Sequence, residues 1–380
     1  MNREEDRCMK QFKVVPEICL FDTCEAFQAV FKIGKEDLVI TSEHTWQKFF
    51  AFFESEANVI FLRKYGTGEP TDEMVEKIYR DVQQIPYKRV IAIGGGTILD
   101  VAKLFALKNI SPVEHLFHNQ LDPIKDKELI MIPTTCGTGS EVTNISILKM
   151  VKESTKLGLA VDALYAEYAI LIPEIIKDLP FKFFATSSID ALIHGVESFL
   201  SPKATSFSEM FSNKAIEMIL TGYQEIVRNG QEKKEVLLDQ FLLASTYAGV
   251  AFGNAGCGAV HAMSYPIGGI YHVPHGEANY ALFIEVLKAY ERLAPQGKLE
   301  ELNKLIANIL QCKSKEVYDK LDELLSHILE KKSLKVYGMT EAQIELFTDS
   351  ILEKQQRILR NSYVPLSKEE IYKIYQKCYE

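Results

Sequence analysis

The chain has 380 residues, 47% hydrophobic and 25% charged, with a formal net charge of −9. This is globular composition, long enough for two domains, and its interspersed acids and bases exclude a basic nucleic-acid surface. The charged start Met1-Asn2-Arg3-Glu4-Glu5-Asp6-Arg7 has no apolar stretch behind it, so no signal peptide is read. No apolar run approaches the ~18 residues of a membrane span.

Short apolar runs alternate with helical patterns over the first ~175 residues. Predicted strands are Leu38-Val39-Ile40-Thr41, Val59-Ile60-Phe61-Leu62, Val90-Ile91-Ala92-Ile93, Leu129-Ile130-Met131-Ile132 and Ala169-Ile170-Leu171-Ile172. Near-continuous apolar character fits parallel strands covered on both faces. Helical stretches such as Asp72 to Gln84 and Ile98 to Leu107 fall between them, giving the rhythm of a doubly wound sheet. After Pro180 the spacing becomes three and four. Phe207, Met210, Phe211, Ala215, Met218, Ile219, Tyr223 and Ile226 would line one helix face. Val236–Tyr247, Leu299–Leu310 and Val317–Leu329 read the same way. The expected architecture is an α/β domain over 1–178 and an all-helical domain over 179–380, with a cleft between domains as the default ligand site.

Two loops in the first domain carry ligand-binding character. Gly94-Gly95-Gly96-Thr97 follows a strand and opens a helix, where amides and dipole favour an anion. The spacing is neither GxGxxG nor GxxxxGK[ST], and a plain tight turn is the competing reading. Pro133 to Thr143 gathers hydroxyls and glycines after the next strand, at the sheet edge where ligands sit. A helix-capping loop is its bland alternative.

Asp190 and His194 stand at i and i+4 in a stretch with neither Lys nor Arg between Ala185 and Leu200. A carboxylate there needs a partner. Three of the eight histidines, His261, His272 and His275, fall within fifteen residues. One acid and three imidazoles suit a borderline divalent metal such as iron or zinc. Taken alone, Asp190 and His194 read more readily as a hydrogen-bonded pair than as a metal site, and only the four-residue set brings the two readings level. The seven cysteines (Cys8, Cys19, Cys24, Cys136, Cys257, Cys312, Cys378) form no CxxC pair and fit a reducing, cytoplasmic setting.

In this order, Gly94 to Lys103, Pro133 to Thr143, Asp190 to Glu197 and His261 to Gly276 resemble the iron-containing (group III) alcohol dehydrogenase family along nearly the whole chain. Tyr65 to Pro70, Ala251 to Gly256 and Tyr271 to Tyr280 are most similar to its 4-hydroxybutyrate dehydrogenase branch. The resemblance implies a Rossmann-like N-terminal domain and an all-α C-terminal domain, as in dehydroquinate synthase. It implies Fe2+, with Zn2+ as an alternative, on Asp190, His194, His261 and His275. It assigns NAD to Gly94, Gly95, Gly96, Thr97 and Asp100, to Thr134, Thr135, Thr138 and Thr143, and to Lys156 at a ribose. The implied reaction is hydride exchange between NAD and 4-hydroxybutyrate, giving succinate semialdehyde, in a homo-oligomer without nucleic-acid or membrane partners.

Two departures from the family pattern stand out. An aspartate common after the first strand is Ser42 here, followed by Glu43, which would take the ribose hydroxyls. A histidine common four residues after the third metal ligand is Tyr265, so the proton route would pass through His272 or Tyr265, with His272 preferred because an unperturbed imidazole exchanges protons near neutrality. The chemistry needs no nucleophile, so Cys136 and Cys257 read as structural. Arg357, Arg360 and Lys335 are candidates for a substrate carboxylate by charge alone. A dehydroquinate-synthase-like lyase would need a Lys/Arg cluster beside the ligands, and His261–Tyr280 contains none. A dehydrogenase for a neutral alcohol and a sensor without turnover are the remaining alternatives.

Overall fold

The computed structural model describes residues 10–53, 55–153 and 155–380. Met1–Arg7, read above as a charged start, and Cys8 lie outside the described residues. The chain forms two compact units. One is Val15–Phe184. The other runs over Ala185–Glu380 and takes in the described residues before Val15. The division therefore falls six residues after the expected 178/179 boundary. The N-terminal segment is drawn to the second unit because Phe12 stacks on Phe207 and Phe211 and the Lys13 amide donates to Asn254 Oδ1 at 2.6 Å.

The α/β unit holds β1 (Glu17–Leu20), β2 (Asp37–Thr41), β3 (Asn58–Phe61), β4 (Arg89–Gly94), β5 (Glu128–Pro133), β6 (Ile145–Met150), β7 (Thr155–Ala160) and β8 (Tyr168–Leu171). Six form a parallel sheet in the order β1-β8-β5-β4-β2-β3, while β6 and β7 pair as an antiparallel hairpin. Successive side chains leave a strand on opposite faces. Leu38, Ile40, Val90, Ala92, Leu129 and Met131 thus enter one core with the helix Asp72–Val82. Val39, Ile91, Ile93, Ile130 and Ile132 enter the other with Phe27 and Trp46. The register sets Thr41 against Ile93 and Gly94 against Pro133. The loops after β2, β4 and β5 therefore leave the sheet at one level of its carboxyl edge.

Three elements depart from the sequence reading. β1 and the β6–β7 hairpin were not expected. On the helix Ser206–Asn229, Phe207 and Met210 of the expected face are exposed, while its Ala215, Ile219, Tyr223 and Ile226 are buried beside Ser208, Ser212 and Ile216. The helix starts on Thr205 with a reciprocal capping box to Ser208. Small serines there let it approach its neighbours closely, as Ser198 and Ser212 hydroxyls meet at 2.8 Å. One stretch, Gln231–Ala255, is long and apolar enough to meet a membrane-span criterion, against the expectation of none. Its Phe241, Leu242, Ala244 and Ala248 are buried in the core.

Candidate metal centre and nucleotide edge

In the helical unit, one helix face carries the first part of the site. The helix Phe181–Leu200 presents Asp190, His194 and Glu197 at i, i+4 and i+7. A second helix, Ala259–Tyr271, carries His261 in its first turn and ends on His272, whose φ of 55° is left-handed. Pro274 caps a third, His275–Leu293, whose first two turns hold His275 and Asn279. Gly276 seats that helix: a Cβ there would stand 2.0 Å from the Thr186 carbonyl oxygen.

Asp190, His261 and His275 each offer a donor atom within 4.8 Å of the others. His261 Nε2 lies 3.7 Å and His275 Nε2 3.9 Å from Asp190 Oδ1. His194 stands in an adjoining group with His261 and Cys257 rather than in this triad, its ring between those of Phe252 at 4.2 Å and His261 at 4.5 Å. Asp190 and His261 side chains are 4% exposed, whereas that of His275 is 37% exposed and forms the open side.

Two residues that sequence reasoning did not single out hold this arrangement. Glu197 accepts from His261 Nδ1 at 2.5 Å and from the Val260 amide at 2.7 Å. With Nδ1 carrying the proton, the Nε2 lone pair faces the cluster. Glu197 was findable as the third member of the Asp190 face, seven residues on. Asn279 Nδ2 meets Asp190 Oδ1 at 2.7 Å, His261 Nε2 at 3.1 Å and His275 Nε2 at 3.3 Å. An amide has two protons, so three acceptors exceed what it can serve. Its Oδ1 is buried with no partner among the described residues.

The electrostatics point the same way. Burial pushes the Asp190 carboxyl up, but His194, His275 and His261 outweigh it and hold the group well below the usual carboxylate range. Burial pushes His261 down, but Cys257, Glu197 and Asp190 raise it well above an ordinary imidazole. The pocket is built for positive charge, and its spare lone pairs fit a divalent cation.

Tyr265 lies against the cluster, with its ring 6.2 Å from that of His275, while His272 is exposed. Of the three cation candidates, Arg357 and Arg360 sit beside Lys203. Its ammonium is held low by burial first and then by these two charges. Asn361, next to Arg360, donates to the Cys257 carbonyl at 3.1 Å. Lys335 is exposed.

In the α/β unit the glycine turn is a matter of space, not unusual backbone. None of Gly94, Gly95 and Gly96 has positive φ. A Cβ on Gly96 would stand 2.7 Å from Thr138 Cγ2, so the two loops touch. Thr134, Thr135 and Thr138 are partly exposed along this edge, and Gly96 begins a helix whose N-cap, Gly95, makes no side-chain cap hydrogen bond among the described residues. Thr97 Oγ1 points to the Gly68 carbonyl at 3.4 Å.

Three assigned cofactor residues are engaged elsewhere. Asp100 accepts from Ser140 Oγ at 2.5 Å and from the Ile147 amide at 3.1 Å, so it braces the second loop. Thr143 is buried, with Oγ1 3.3 Å from the ammonium of the fully buried Lys103. Lys156 pairs with Glu69. Glu43 is exposed in the first turn of the helix Glu43–Phe49, beyond Ser42, whose hydroxyl accepts from the Thr45 amide as the cap.

Comparison with known proteins gives concordant results. Residues 19–173 match the model of the iron-containing alcohol dehydrogenases, and 184–379 match that of the C-terminal region of the Fe-containing alcohol dehydrogenase family. The 4-hydroxybutyrate dehydrogenase of Clostridium kluyveri is 50% identical over 371 residues, 98% of this chain and all of that protein. Long-chain-alcohol dehydrogenase 1 of Geobacillus thermodenitrificans is 33% identical, covering 82% of this chain and 80% of its own. The crystal structure of sulfoacetaldehyde reductase from Bifidobacterium kashiwanohense in complex with NAD+ superposes with a TM-score of 0.84. It does so at 21% identity, over 98% of this chain and 99% of its own.

Proposed function

The chain belongs to the iron-containing alcohol dehydrogenase family, and we propose that its reaction is the NAD-dependent, reversible oxidation of 4-hydroxybutyrate to succinate semialdehyde. The observation that carries this is the convergence of a buried carboxylate and imidazoles on one point, in a chain half identical over its length to a 4-hydroxybutyrate dehydrogenase.

Asp190, His261 and His275, with His194 from the same helix as Asp190, would hold iron; the same donors accept zinc. When bound, the cation acts as a Lewis acid that acidifies the substrate hydroxyl, and the nicotinamide accepts the hydride. The protein's own part is placement and charge. Asp190 supplies the anionic donor. Glu197 fixes the His261 tautomer so that Nε2 is free to ligate. Asn279 steers Asp190 Oδ1. His275 stands on the open side where a substrate oxygen can enter.

Gly94, Gly95, Gly96 and Thr97 offer helix-start amides to the pyrophosphate, while Thr134, Thr135 and Thr138 line the same edge toward the nicotinamide. Glu43 would take ribose hydroxyls and oppose a 2′-phosphate. Exposed His272 exchanges the alcohol proton with water, with Tyr265 beside His275 as the inner candidate. Arg360 or Arg357 would meet the substrate carboxylate. The enzyme would work as a cytoplasmic homo-oligomer, which light scattering of the loaded protein checks.

The test is an anaerobic assay of the iron-loaded enzyme. It should reduce succinate semialdehyde with NADH in preference to NADPH, and oxidise 4-hydroxybutyrate with higher kcat/KM than 1-butanol. A preference for NADPH would sink the role of Glu43, and a preference for 1-butanol would sink the substrate.

A further inference from the structure

Cys257 occupies the three-residue link Gly256–Gly258, between the helices Leu238–Ala255 and Ala259–Tyr271. The hydrogen bond from Asn361 to its carbonyl pins the backbone that carries the thiol. Its sulfur, one nitrogen of His194 and one of His261 all lie within 4.8 Å of one another. A purely structural role for Cys257 leaves this placement of its sulfur unused. The molecule holds two overlapping donor sets. Asp190, His261 and His275 combine a hard oxygen with two imidazoles, and His194, Cys257 and His261 combine a soft sulfur with two imidazoles. Thiolate ligation selects softer divalent ions such as zinc over iron.

The two sets share His261. Its Nδ1 is committed to Glu197 at 2.5 Å, which leaves the ring a single lone pair. One imidazole in that state cannot ligate two cations. We propose that His194, Cys257 and His261 form an alternative, thiolate-bearing cation position for soft divalent metals, mutually exclusive with occupation of the Asp190–His261–His275 position. This rests on the reading of the Asp190 triad as the metal centre. In consequence zinc, once seated on the sulfur, denies iron its His261 ligand and His194 with it. The sulfur thus makes the choice of metal a competition within one pocket.

The test uses full-length protein freed of metal under anaerobic, reducing conditions. It is given one equivalent of Cd2+, Zn2+ or Fe2+ and desalted, and bound metal per chain is measured together with the ultraviolet spectrum. Cadmium should remain bound with a thiolate-to-metal charge-transfer absorption. Cys257→Ser and Cys257→Ala should abolish that absorption, and Asp190→Asn should keep it. Zinc affinity of Cys257→Ser, measured by chelator competition, should fall on the order of tenfold while iron retention is unchanged. In the unaltered protein one equivalent of zinc should block iron uptake. Metal retained without the thiolate absorption, or an absorption that survives loss of Cys257, overturns the proposal and leaves the Asp190 centre standing. If the unaltered protein retains no cation at all, the reading of the metal centre falls, and this proposal with it.

Discussion

His261 has its ligating nitrogen set by a hydrogen bond on the other side of its ring, so Glu197 decides whether it can ligate at all. Glu197→Gln keeps an oxygen for the Val260 amide but turns an NH2 toward Nδ1. The proton then moves to Nε2, which can no longer donate a lone pair. Metal affinity should fall about 10–100-fold, read by chelator competition, with little change in the urea midpoint. An unchanged affinity would show that Glu197 only packs. The same ring gives a pH dependence. Burial opposes its charge, but Cys257, Glu197 and Asp190 raise its pKa well above the ordinary 6.5. In the metal-free protein its proton is stabilising in full below 6.5 and the benefit is lost as pH rises through the raised value. A cation must displace that proton, so affinity should climb with pH across the same window. The acid and the histidines were legible in the sequence because each was a polar group in an apolar stretch without a countercharge. Asn279 was not, because its partners are other side chains of the site; Glu197 was findable on the Asp190 face, but its bond to His261 was not. The proximity of Cys257 to His194 and His261 was not legible, because those neighbours come from two helices.

Two glycines decide how closely elements approach. At Gly96 a Cβ would meet the tip of Thr138, a side chain that can turn away, but at Gly276 it would meet the Thr186 backbone carbonyl at 2.0 Å, and backbone cannot step aside cheaply. Gly276→Ala should therefore push the start of the helix His275–Leu293 off the helix Phe181–Leu200. The cost is about 1–3 kcal/mol of overpacking, visible as a lower urea midpoint, and His275 is carried away from Asp190, so bound iron per chain should drop as well. Full stability and full iron content would refute the contact. The five expected strands were legible because β2, β4, β5 and β8 are continuous apolar runs and β3 nearly so. The hairpin was not: in β6 and β7 Ser146, Lys149, Lys156 and Gly158 dilute the pattern, and β1 is a four-residue edge strand with Glu17 and Leu20 exposed. The helix Ser206–Asn229 was recognised by its period, and Ala215, Ile219, Tyr223 and Ile226 of the expected face are buried, but Phe207 and Met210 at its start are not. Phe12 stacks on Phe207, a long-range contact that local periodicity does not encode.

Across the whole chain the proposed chemistry is divided between the two units. The amides and hydroxyls for the nucleotide stand on Val15–Phe184, and every candidate metal ligand stands on Ala185–Glu380. A ligand that binds only the folded form stabilises what it binds, by about 2.7 kcal/mol at a free concentration one hundred times its Kd. Divalent iron should therefore slow amide exchange chiefly in the helices Phe181–Leu200 and Ala259–Tyr271, and NAD chiefly in Gly94–Thr97 and Thr134–Ser140. Hydrogen exchange read by mass spectrometry distinguishes the two patterns within one experiment. Substituting Asp190→Asn should abolish the first and spare the second, because the nucleotide's partners are not on that helix. Iron protecting the glycine turn as strongly as it protects its own helices would mean that the cation is held elsewhere than on Asp190, His261 and His275.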